Sequence, residues 1–189
     1  RVLIFAYADV IKAKRANTEG GDSSTFNDMN LERIMKLSKE LRDGSWQAGI
    51  ARRVMIPKPG SNDKRPLTVL SPYDKIVASA IKIVLNAIFE KQKGLDKLPN
   101  DRYFHTSSHG FRPNRGCHSA LDVTMTWGLS PWLIKDDIQK CYYTIDQKRL
   151  ISILSESIDD QIMFDTLYKF FNMPVKNLDL GGPDTSKGI

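Results

Sequence analysis

The stretch "SPYDKIVASAIKIVLNAIFEKQK" (71–93) constrains the fold more than any other part of this 189-residue chain. It opens with a full helix start signal. Ser71 supplies a capping hydroxyl, Pro72 takes the first helical position, and Asp74 puts negative charge in the first turn. Residues 76–89 are apolar on more than one side of a helix. Such a helix cannot lie on a surface, so the pattern predicts a long helix packed between other elements.

The remaining segments supply those elements. Leu3, Ile4, Tyr7, Val10 and Ile11 recur at helical spacing within residues 1–16, with Lys12, Lys14 and Arg15 at the end. "NTEGGDSST" (17–25) has two glycines and no apolar anchor, and reads as a loop. Leu31, Ile34, Leu37 and Leu41 mark an amphipathic helix over about 27–43, stopped by Gly44. "ARRVMIPKPGSNDKRPLTVL" (51–70) reads as a hairpin around the turn-rich "PGSND". A long turn-rich connection at 94–120 overlaps a helix predicted at 118–127. A buried strand is predicted at 132–138, two amphipathic helices within 147–172, and a loop or hairpin at the close. The fold class is therefore α+β, with no internal repeat and no low-complexity tract.

Composition excludes several classes. Hydrophobic residues make up 41% and charged residues 26%, outside the range of disordered chains. No run reaches the roughly 20 apolar residues of a membrane span, so no membrane partner is expected. A net charge of +6 favours a polyanionic partner, and two cysteines fit a reducing compartment. His105, His109 and His118 lie near Cys117 without a recognised zinc spacing. Beginning at Arg1, the chain reads as a piece of something longer.

Three constellations carry chemistry. Arg52, Arg53, Lys58, Lys64 and Arg65 crowd the hairpin, with Pro57, Pro59 and Pro66 stiffening it. They form either a cradle for phosphates or a solvated edge kept from aggregating by its charge. In "SSHGFRPNRGCHSA", Phe111 beside Arg112 and Arg115 suits stacking on bases; the alternative is a packed turn with Phe111 inside and Arg112 facing out. In "WLIKDDIQKCYYTID", strand alternation puts Asp136 and Asp137 on opposite faces, so they are no dyad. Asp137 with the carbonyl of Ile138 could offer oxygens to one Mg²⁺, with the Tyr142 ring as a wall; otherwise both acids are simply exposed.

The order of these pieces, "MIPKPGSNDKRPLTVLSPYDKIVASAIKIVLNAIFE", "SSHGFRPNRGCHSA" and "WLIKDDIQKCYYTID", resembles the reverse transcriptase domain of group II intron-encoded proteins (maturases). The likeness spans about residues 50–150, and the N-terminal helices with the "NTEGG" loop resemble that family's finger extension. It implies a right-hand fold cut into a finger extension (1–50), fingers (51–130) and the start of a palm (131–189). It also implies roles. Lys58 and Arg65 match residues that hold the incoming nucleotide, Asp137 the first metal-binding and catalytic aspartate, and Ile138 the residue whose carbonyl joins it. Tyr142 matches an aromatic gate against the ribose 2′-OH, and Arg112 an arginine near template and nucleotide. Tyr143 departs from the family, which often has Asp there. The second acidic motif, expected beyond a "PQG" that "TSKGI" resembles the approach to, is absent after Asp137; "AYAD" (6–9) lies upstream of the fingers and matches it by chance. The implied activity is RNA-templated DNA synthesis with Mg²⁺, together with intron RNA binding that assists splicing; this piece alone is expected to be inactive as a polymerase. The implied partners are intron RNA, a DNA primer or target and deoxynucleotide triphosphates, with homo-oligomers also in view. The alternative is an RNA-binding splicing maturase without polymerase activity. The expected compartment is the mitochondrial matrix, or else a bacterial cytoplasm.

Overall fold

A computed structural model describes residues 1–12, 19–22, 24–91, 103–129, 131–139 and 141–177. Lys14 and Arg15, part of the 17–25 loop, the first third of the 94–120 connection and the closing "TSKGI" lie outside the described residues. The elements run α1 (Val2–Lys12), a 3₁₀ turn (Phe26–Asp28), α2 (Leu31–Arg42), β1 (Ala51–Pro57), β2 (Lys64–Val69) and α3 (Pro72–Phe89). They continue with α4 (Cys117–Met125), α5 (Cys141–Thr144), α6 (Gln147–Ser155), α7 (Gln161–Phe171) and β3 (Val175–Lys176). The class is α+β, as the patterning predicts.

The chain forms two compact units, one from residues 1–81 with 140–189 and one from 82–139. The basic hairpin belongs to the same unit as the N-terminal helices.

In the first unit the sheet has the order β2-β1-β3. β1 and β2 pair antiparallel, with Arg53 opposite Thr68 and Ile56 opposite Arg65. β3 runs parallel to β1, Ala51 beside Val175, and Ala51 N–H donates to the Pro174 carbonyl at 2.9 Å. Only two residues long, β3 lacks the length from which alternation could be read. The helices begin where capping side chains sit. Asn30, Asp146 and Asp160 each accept a bond from the N–H three residues on, at 2.9, 3.0 and 2.9 Å. Gly44, at φ 73°, ends α2 in the left-handed conformation that glycine adopts without strain.

The apolar core of this unit gathers Ile34 and Leu37 of α2, Ile76 and Val77 of α3, and Phe164 and Leu167 of α7. Trp46 stacks near Phe170 at 5.0 Å between ring centres. Lys169 of α7 reaches back to the Gly44 and Trp46 carbonyls at 2.6 and 2.9 Å, satisfying the backbone just past α2. Ser71 caps α3 as expected, and Asp74 does more than add charge. Its carboxylate is buried, accepting from the Ser71 hydroxyl at 2.7 Å and from the Gly49 N–H at 3.1 Å. It thereby ties the start of α3 to the segment entering β1.

The second unit is built differently. Among its described residues none is a buried apolar side chain, and its one buried residue is Arg112. Arg112 Nε and Nη2 donate to the two carboxylate oxygens of Glu90 at 2.9 and 2.6 Å, a bidentate pair. Nη1 donates to the His105 and Ser108 carbonyls at 2.7 and 2.8 Å. The guanidinium also lies 5.3 Å from the Phe104 ring centre. One side chain thus cross-links the end of α3 to the 103–115 loop.

The expected strand at 132–138 does not form. Those residues have no regular structure, and Trp132, Leu133 and Ile134 are each more than 80% exposed. A strand needs a neighbouring ladder for its backbone groups. Among the described residues, no strand pairs with this segment.

Burial raises the Asp74 carboxyl above its usual value of 3.8 against the hydrogen bonds that lower it, so the folded state holds that proton more tightly than the unfolded chain. This group's share of stability therefore falls as pH rises from 3.8 through the raised value, and Asp74→Asn should flatten that slope in urea titrations. Separately, Arg112→Ala should ease opening of the 103–115 loop by about 2–3 kcal/mol in native-state hydrogen exchange. This is below the roughly 3–5 kcal/mol for a fully buried pair, since Glu90 stays partly in water.

Candidate functional site

The hairpin turn is closed by the Lys58 N–H donating to the Asp63 carbonyl at 2.9 Å, with Gly60 at φ 74°. Lys58 and Arg65 are both exposed near this tip. Lys58 has a loose contact with Asp63 at 3.5 Å, with both side chains in water, so it holds the lysine weakly. Strand register puts Arg65 on the face of Ile56, and Lys58 comes two residues after Ile56. Both residues singled out from the sequence therefore stand in solvent on one short hairpin.

The other cations of the hairpin do not all join them. Arg53 faces inward and is buried, its guanidinium 3.4 Å from the Thr68 hydroxyl. The alternation that sends Ala51 and Arg53 to the core side explains this, and the expected five-cation cradle shrinks accordingly. Arg53 and Thr68 line a mostly apolar cavity of about 260 Å³ together with Leu150, Phe170, Met173 and Tyr142. Tyr142 sits on the short helix α5 with most of its ring exposed. A second, more polar cavity of about 570 Å³ lies between α2 and the start of α3, with Arg33, Lys36, Glu40 and Asp74 on its walls. No sequence motif pointed to it, because its residues are scattered from Asp22 to Asp74 over two helices and the segments around them.

In the second unit the "GFRP" turn exposes the ring and buries the arginine, so the alternative with Phe111 inside and Arg112 facing out does not hold. Phe111 is 92% exposed, and Arg112, expected near template and nucleotide, is turned inward with four donor bonds used on Glu90 and two carbonyls. Arg112 holds the loop. The partnership with Glu90 keeps that carboxyl below its ordinary value of 4.5. Beside it runs a groove of about 580 Å³ walled by Asn86, Glu90 and Lys91 on one side and Asn114 and Arg115 on the other.

Asp136, Asp137 and Ile138 are exposed in the irregular segment after Pro131. A carboxylate and a backbone carbonyl are the hard oxygen donors that Mg²⁺ favours. They fit the ion only in part, since two oxygens do not fill its coordination and no group of three ligating side chains occurs among the described residues. His109 Nδ1 lies 2.9 Å from the Ser119 hydroxyl, a structural contact, and both cysteines are free thiols.

No protein-family profile matches the chain. Individual relatives do. The group II intron-encoded protein LtrA of Lactococcus lactis subsp. cremoris is 33% identical over 87% of this chain. The putative COX1/OXI3 intron 1 protein of Saccharomyces cerevisiae is 37% identical over 89% of it. Nuclear intron maturase 4, mitochondrial, of Arabidopsis thaliana is 25% identical over 81% of it. The chain spans only 26%, 19% and 18% of those three proteins. Hairpin, "GFRP" turn and Asp137 segment all fall within a likeness that covers most of this sequence, and on that footing the chain belongs with the group II intron-encoded proteins.

Proposed function

We propose that this chain is the fingers and first part of the palm of a right-hand RNA-directed DNA polymerase that also binds intron RNA. The observation that carries this reading is the hairpin tip, where Lys58 and Arg65 stand free of strong ion pairs in a chain related to intron-encoded proteins. Lys58 would act as a point charge on the phosphates of a deoxynucleotide, and Arg65 as a planar cation over its base. Tyr142, with its ring in water, would stand against the sugar and reject a 2′-hydroxyl by bulk. Arg112 enters as a positioning residue, through the loop it holds.

Asp137 and the Ile138 carbonyl would hold Mg²⁺ together with carboxylates from elsewhere in a longer protein. There the ion would supply charge stabilisation for nucleotidyl transfer. A second reading, an RNA-binding splicing maturase without polymerase activity, draws on the maturase among the relatives. Both readings use template or intron RNA. DNA primer, deoxynucleotides and self-association belong to the first. Relatives from a bacterium and from introns of yeast genes keep both the bacterial cytoplasm and the mitochondrial matrix as host compartments. None of the described helices is long and apolar enough to cross a membrane.

In the full-length protein, Asp137→Ala should abolish cDNA synthesis in a primer-extension assay while circular dichroism stays unchanged, because the side chain is exposed. Near-normal extension would remove the catalytic assignment. RNA affinity should fall linearly in log–log form with salt, as released counterions require. An affinity indifferent to salt in filter binding would remove the electrostatic grip.

A further inference from the structure

We propose that Phe111 is a stacking platform for an unpaired base of single-stranded RNA, with the strand's phosphates lying along the adjacent groove. The proposal rests on the RNA-binding reading above and names the place and the partner's form.

Phe111 combines two features that a merely structural residue avoids. It is 92% exposed, and its backbone sits at φ 59°, a left-handed conformation that residues other than Gly, Asn and Asp seldom adopt. Neither water nor backbone preference favours that placement. The loop enforces it. Arg112, next in sequence, is fixed by four hydrogen bonds, and Asn114 is also left-handed at φ 57°. The Arg115 N–H donates to the Arg112 carbonyl at 3.3 Å, and the Arg115 side chain donates to the Thr106 carbonyl. A ring presented by so braced a turn loses little freedom when it meets a flat ligand.

The surroundings select the ligand. Gly110, Pro113 and Asn114 are exposed beside it, and of these only Pro113 offers an apolar side chain, which gives an apolar protein partner little to grip. Two residues on, Pro113 begins one wall of the 580 Å³ groove that Lys91 and Arg115 line. Glu90 also lines that groove, but its charge is matched by Arg112, so the excess there is positive. Cations track phosphates while an aromatic face takes a base, which is the pairing that single strands require. A base locked in a duplex cannot reach the ring.

The test uses the 189-residue chain and single-stranded RNA oligonucleotides carrying one 2-aminopurine, its position moved along the strand. Wild-type protein should change the emission at one position, and the matching duplex should give no such change. Phe111→Leu should weaken binding roughly 5- to 150-fold, the size of one base–aromatic stack, and erase that change. Phe111→Trp should keep both. Melting temperatures should stay equal, since the ring is in water. If Phe111→Leu binds and reports like wild type, the stacking proposal fails while RNA binding stands. If wild type binds no single-stranded RNA at low salt, the RNA-binding reading falls and the proposal with it.

Discussion

A buried guanidinium holds the second unit together. Among the described residues of 82–139, apolar side chains such as Ile83, Leu85 and Phe89 are only half-buried, with Phe89 and Phe104 meeting at 6.2 Å between ring centres, so no closed apolar core forms. In its place stand the Arg112–Glu90 pair and the two carbonyls that Arg112 also bonds. Desolvating a guanidinium is costly, and here that is offset by a bidentate partner and near-complete use of its donors. The hold is directional. Hydrophobic contacts would let the loop slide, whereas these bonds fix the backbone on both sides of Phe111.

The first unit has the more usual arrangement, and its polar anchors sit where chain segments must be aimed. Asp74 joins the start of α3 to Gly49, and Lys169 joins the end of α7 to the carbonyls past α2. Between these anchors the hairpin projects with its tip in solvent. The hairpin thus has a rigid base and a free end. Ladder pairing from Arg52–Val69 to Pro57–Lys64 gives that rigidity up to the turn.

Much of this was legible in the sequence, for identifiable reasons. Helices with a start signal or a stopping glycine emerged near their expected places, because caps act locally and need no tertiary partner: Ser71 before α3 and Gly44 after α2. Features that depend on distant partners were not legible. The 132–138 run looks like a strand by composition, but pairing decides strands. Arg53 and Arg112 look like surface cations, yet register turns one inward and Glu90, far along the chain, draws in the other. Lys58, Arg65 and Tyr142 are exposed.

The first unit is assembled from both ends of the chain, residues 1–81 and 140–177, with the entire second unit strung between them. On a ribosome, α2 and the hairpin emerge long before α7 and β3, which complete their packing. The nascent first unit must therefore wait half-made, the edge of β1 that β3 later covers still open. Contacts of such high sequence separation also slow folding in the free chain. A protein so wired has its period of greatest vulnerability during translation, and helper proteins that shield unpaired strands would matter most then.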